Sequence, residues 1–142
     1  MFVRFAWLFC LVACGNNLTS TNQNKDGELI DETDDVAPVL THDPIEETMP
    51  FGEDVAITAT AVDDDSGILF VNLHYKNETG GSADWQEVIM MATGEEYSGT
   101  IRGDRMQGGG IYYYLEAIDK ATNVAFAPDE GPDDPFHFGL AD

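Results

Sequence analysis

Polar and apolar positions alternate with a period of two along most of the chain from Pro38 onward. Val55, Ile57, Ala59 and Ala61 are interleaved with Thr58 and Thr60. Leu69, Val71, Leu73 and Tyr75 are interleaved with Phe70, Asn72, His74 and Lys76. Ile111, Tyr113, Leu115 and Ala117 are interleaved with Tyr112, Tyr114 and Glu116. Successive side chains of a strand point to opposite faces, so this period predicts strands with one face buried. Shorter stretches at Pro38–Thr41, Trp85–Met91, Tyr97–Ile101 and Ala125–Phe138 complete about seven strands. Between them lie turn-forming stretches: Pro50-Phe51-Gly52, Asp63–Gly67, Asn77–Asp84, Gly108-Gly109-Gly110 and Asp119–Asn123. Short strands at this spacing, with Gly, Pro and Asx between them, predict an all-β antiparallel sandwich. No helix of useful length is expected.

The first part of the chain follows another pattern. Arg4 precedes an apolar run from Phe5 to Ala13, and Leu11-Val12-Ala13-Cys14 is followed by Gly15-Asn16-Asn17. One cation, an apolar stretch and small residues before a cut make an export signal, and the run is too short to span a bilayer. From 15 to 37 the residues are polar and acidic, with little apolar surface to offset the entropy of ordering them, so a flexible tether is expected. Asn22, Asn24, Asp26, Gly27, Asp31 and Asp34 are similar to an EF-hand loop in composition. However, Thr33 stands where that spacing requires an acid, so the stretch is read as linker.

Leu11-Val12-Ala13-Cys14 resembles the lipobox of bacterial lipoproteins. That resemblance implies a diacylglyceryl group on the Cys14 thiol, cleavage before Cys14 and acylation of the new amino terminus. Cys10 fits less well, because Trp7 and Phe9 occupy positions where small residues are needed. Several acyl chains anchor a protein stably. The expected organisation is therefore a signal peptide over 1–13, lipidated Cys14 with an acidic linker over 14–37, and one domain over 38–142. Gly15 and Asn16 are not the Asp of inner-membrane retention, so the resemblance implies a bacterial envelope location, at the outer membrane or cell surface.

Residues 38–140 resemble an immunoglobulin-like or fibronectin-III-like module. The resemblance is carried by Asp64-Asp65-Ser66-Gly67-Ile68, Trp85…Val88…Met90, Tyr113–Asp119 and Asn123. It implies one β-sandwich and leaves function open, since the fold hosts unrelated roles. Thr122-Asn123 departs from the usual Gly-Asn.

The chain of 142 residues carries a formal charge of −21, which excludes a nucleic-acid partner on electrostatic grounds. Cys10 and Cys14 both fall in the leader region, leaving no disulfide for the domain. No Gly-x-Ser-x-Gly elbow, zinc spacing or phosphate loop is present, and His42, His74 and His137 are scattered. The chain is read as a non-catalytic module. Two sets of residues stand out. In an Ig-type sandwich the loops Asp63–Gly67 and Asp119–Asn123 emerge at one end, near Asp34 and Asp35, so Asp63, Asp65, Asp119 and Asn123 are candidate Ca²⁺ ligands. The competing reading is turn chemistry, with Asx side chains capping their own loops. Phe70, His74, Tyr112 and Tyr114 would share the outward face of two neighbouring strands, either as a contact surface or beneath a covering loop. The expected role is a lipid-anchored interaction or assembly module that meets an envelope protein. The alternative is a carbohydrate-binding or accessory module for a secreted enzyme. Arg102-Gly103-Asp104 matches an adhesion tripeptide, and Asn17-Leu18-Thr19 and Asn77-Glu78-Thr79 match the glycosylation sequon.

Overall fold

The computed structural model describes residues 34–79 and 84–141, with the backbone of 22–23 and 29–30. The lipobox with Cys14, the Asn17 sequon and most of the tether lie outside the described residues. The strands in chain order are β1 (Asn22–Gln23), β2 (Leu29–Ile30), β3 (Val39–Thr41), β4 (Met49–Pro50), β5 (Val55–Val62), β6 (Ile68–Asn77), β7 (Gln86–Ile89), β8 (Met91–Thr93), β9 (Glu96–Ile101), β10 (Gly110–Asp119), β11 (Val124–Ala127) and β12 (Phe136–Ala141). β1 and β2 form a small ladder of their own. The other ten make two sheets. One has the order β4-β12-β10-β6-β7, with β11 also on β10, and the other is β3-β5-β9-β8.

The alternation seen in the sequence sets the core. On β5, Val55, Ile57, Ala59 and Ala61 are buried while the residues between them are exposed. They face Val71, Leu73 and Tyr75 of β6 and Ile111, Tyr113, Leu115 and Ala117 of β10, all in one hydrophobic cluster. Burying each large side chain of this kind stabilises the fold by about 1.5–3 kcal/mol. β6 and β10 pair from Ile111↔Asn77 to Asp119↔Ile68. They are the long central strands, and the functional candidates hang from them.

The fold is the expected all-β sandwich, but it has ten strands in place of about seven. Trp85–Met91 is not one strand. Ile89 pairs with Asn72 in the first sheet, and Met91 pairs with Ser98 in the second. The residue between them, Met90, is 5% exposed and donates its N–H to Val71 O at 2.9 Å. Its unbranched side chain fills the corner where the chain changes sheet. Gly99 makes the room, because a Cβ there would lie 3.1 Å from Met90 Cγ and 3.3 Å from Leu73 Cδ2. The last strand is also divided. β11 pairs with the second half of β10 and β12 with the first half, with a short 3₁₀ turn, Gly131–Asp133, between them. Pro50, expected to open a turn, instead joins Met49 in a short parallel strand on Leu140–Ala141.

Candidate functional site

The loop after β5 and the loop after β10 meet at one end of the sandwich. Lys120 donates its backbone N–H to Gly67 O at 3.0 Å, tying the loops together. Asp63 closes the first loop, its Oδ1 accepting from the N–H groups of Ser66 (2.8 Å) and Gly67 (2.7 Å) and from Ser66 Oγ (3.2 Å). Asp119 closes the second. Its side chain is fully buried, with Oδ1 accepting from the Asn123 N–H and Oδ2 from Asn123 Nδ2, each at 2.8 Å. Asn123 Nδ2 also lies 3.2 Å from Asp34 O and 3.1 Å from Val36 O, so it holds the entering chain against the sandwich. Asp34 and Val36, placed in the linker by the sequence, are thus tied to the loop after β10.

One carboxylate oxygen from each of Asp34, Asp63 and Asp119 lies within 4.8 Å of the other two. Of the four expected ligands, Asp63 and Asp119 come together. Asp34, expected only in the neighbourhood, is the third member. Asp65 is exposed and outside the group, because Asp63 turns inward to cap the loop and leaves the following acids in solvent. Asn123 turns its NH₂ to carboxylate and carbonyl oxygens, so it serves as a clamp on the site and not as a ligand through that nitrogen. Turn chemistry and convergence of carboxylates are both realised, on the same residues.

Thr122 has a φ of +75°. Left-handed backbone costs a β-branched residue about 1–2 kcal/mol, a cost that Gly avoids. Thr122→Gly is expected to stabilise the domain by about 0.5–1 kcal/mol after the entropy Gly adds to the unfolded chain. A urea midpoint at or below that of the parent would show that the loop carries no such strain.

The outward face of β6 and β10 is more enclosed than expected. His74 and Tyr114 are cross-strand partners. Their rings stack at 4.5 Å with 9° between planes. Trp85 meets Tyr114 edge-on at 4.8 Å, and Phe126 meets it at 6.0 Å. His74 Nε2 pairs with Glu116 Oε2 at 3.1 Å. His74 is 9% exposed and Tyr114 8%, so both lie in a second, small core and not on an open binding surface. Burial raises the Tyr114 phenol pKa, with the nearby Glu116 and Glu87 charges adding to it. Phe70 and Tyr112 are half-buried. Tyr112 packs on His137 at 4.7 Å, and the Lys76 ammonium lies 4.5 Å from the Trp85 ring and 5.8 Å from that of Tyr112. A strand's period identifies its outward side but not the Trp85 and Phe126 rings that close over it.

Two tripeptide matches are also structural. Arg102 and Asp104 pair with each other at 2.8 Å. Gly103 is buried, donates its N–H to Asp54 Oδ1 at 2.8 Å, and has Gly52 O only 2.1 Å from where a Cβ would stand. The segment is a tight 3₁₀ turn whose two exposed charges pair with each other. Asn77 bridges to Arg105 O and the Gln107 N–H through the two ends of its amide.

No protein-family profile matches the chain, and no curated protein matches it. Among solved structures, the sulfane dehydrogenase SoxCD from Paracoccus pantotrophus is similar at 16% identity with a TM-score of 0.43. The alignment covers 74% of this chain and 27% of that one, so the chain spans about a quarter of that protein's length.

Proposed function

We propose that this chain is a lipid-anchored module of the bacterial envelope, non-catalytic, whose sandwich binds an envelope or extracellular protein and whose tether joint is fastened by Ca²⁺. The observation that carries this reading is the meeting of Asp34, Asp63 and Asp119 at the point where the acidic segment enters the domain. Three segments distant in sequence supply one carboxylate each. Ca²⁺ accepts carboxylate and carbonyl oxygens in irregular sets of six to eight, and the Asp34 and Val36 carbonyls lie beside the group. A cation there would hold the outgoing segment at a fixed angle and present the sandwich away from the membrane.

The groups best suited to proton transfer support a structural role. His74 is stacked and paired with Glu116, and His42 is bonded to Thr58 O and to Tyr113. The carbohydrate-binding alternative rests on fewer residues, because His74 and Tyr114 are enclosed. Tyr112, with Lys76 and Trp85 beside it, is what remains for a sugar ring.

The anchor is tested on the natural protein by mass spectrometry of its first peptide. The expected product begins at Cys14 and carries a thioether-linked diacylglyceryl group and an amide-linked acyl chain. A free thiol, or residues 1–13 still attached, would sink the anchored reading.

A further inference from the structure

β7 pairs only with β6, and β8 pairs only with β9, so each is the outer strand of its sheet among the described residues. They are joined by the single residue Met90, so the two edges form one continuous border running from sheet to sheet. Its sequence, Val88-Ile89-Met90-Met91-Ala92-Thr93, holds no charge, Gly or Pro. Ile89 is 69% exposed and Met91 77%, the highest values among the large hydrophobic residues of the described chain. Edge strands are ordinarily blunted by Lys, Pro or a covering element, because their unpaired N–H and C=O groups template another strand. Here Glu87 is the one charged residue in either strand.

The hydrogen-bond direction supports an available edge. Met90 gives its N–H to Val71 O across to β6. In an antiparallel ladder, alternate residues turn the same way. Val88 therefore turns with Met90 toward β6, and Glu87 and Ile89 turn their N–H and C=O groups outward.

Charge selects the occupant. No Lys or Arg lies between Lys76 and Arg102, while Glu87, Glu95 and Glu96 flank the border and are exposed. At a net charge of −21, a second copy would bring like charges together along this line. We infer that the β7–β8 border takes up an extended segment of a different protein as an added strand, apolar at alternate positions and flanked by Lys or Arg. This deepens the binding-module reading and rests on it. Backbone hydrogen bonds would give affinity, contacts with Ile89 and Met91 would give register, and the acids would give preference for a basic partner.

The test is a titration of the ¹⁵N-labelled protein with a synthetic peptide of alternating Val and Thr closed by Lys at both ends, alongside the same peptide closed by Glu. The Lys-ended peptide is expected to move the amides of Glu87 and Ile89 saturably and to bind about tenfold more tightly than its Glu-ended form at low salt. The double variant Ile89→Thr and Met91→Thr changes only exposed positions and is expected to weaken it by about tenfold. Saturable shifts elsewhere, with the border amides unmoved, would overturn the border and leave a binding module standing. Equal binding of both peptides, or self-association in sedimentation abolished by the double variant, would overturn the basic occupant. The anchored reading fails independently, on an unmodified Cys14.

Discussion

Millimolar Ca²⁺ is expected to raise the melting midpoint of the domain by about 5–10 °C over its value in EGTA. Extracellular calcium sites bind with dissociation constants of roughly 10⁻⁴–10⁻³ M. At about ten times such a constant, binding the folded state alone adds ~1.4 kcal/mol, and each kcal/mol moves the midpoint of a domain this size by about 4–8 °C. The site gains selectively on folding, because Asp34, Asp63 and Asp119 are brought within 4.8 Å only there. Asp119 is fully buried, so its charge is the most sensitive to a cation. Asp119→Asn keeps the shape and removes that charge, and its midpoint is expected to be the same in Ca²⁺ and EGTA. Mg²⁺ demands tighter octahedral geometry and is expected to give a smaller shift. A parent midpoint that does not move with Ca²⁺ would leave Asp63 and Asp119 as loop caps held by Ser66, Gly67 and Asn123, and Asp34 held by the Val36 N–H, without a metal.

The residues that could be read from the sequence are those whose burial follows from the strand period. Val55 to Ala61 and Ile111 to Ala117 lie in the core because every second side chain must. Met90 was not legible as a sheet switch. Val88 to Met91 is uniformly apolar and has no period, so burial of Met90 between exposed Ile89 and Met91 depends on where β9 and β6 lie. At the end where Asp34, Asp63 and Asp119 meet, Asp63 and Asp119 were legible because two loops of a sandwich emerge together. Asp65 was not, since its exposure follows from which acid of a run caps the turn. The direction of the Asn123 amide depends on the carbonyls of Asp34 and Val36, which come from 89 and 87 positions away. His74 and Tyr114 mark the same limit on the outward face, where lateral neighbours decide whether an outward ring meets solvent.

Tyr113→Phe is expected to cost about 2 kcal/mol, lowering the melting midpoint by roughly 10 °C, and to flatten the acid side of the stability profile. The phenol of this fully buried residue of β10 holds the connection between β3 and β4. It accepts from the Ile45 N–H at 3.1 Å and lies 3.0 Å from His42 Nε2. His42 Nδ1 lies 2.6 Å from Thr58 O. A carbonyl can only accept, so Nδ1 carries the proton and Nε2 accepts from the Tyr113 hydroxyl. Burial raises the phenol pKa, which keeps it protonated as a donor. The Phe variant retains the ring and its packing but leaves the Ile45 N–H and His42 Nε2 without this oxygen. Burial, the largest influence, lowers the His42 pKa from 6.5, against upward pulls from Thr58 O and Asp43. The unfolded chain thus binds more protons than the folded one below about pH 6.5, and stability is lost as pH falls through that window. Removing the hydroxyl frees Nε2 to take a proton and moves the folded pKa back toward its ordinary value. The gap between parent and Phe variant is therefore expected to be wider at about pH 7.5 than at about pH 5.5, where acids are still ionised. Urea unfolding at both pH values checks it. Parallel profiles would show that His42 does not titrate against the Tyr113 hydroxyl.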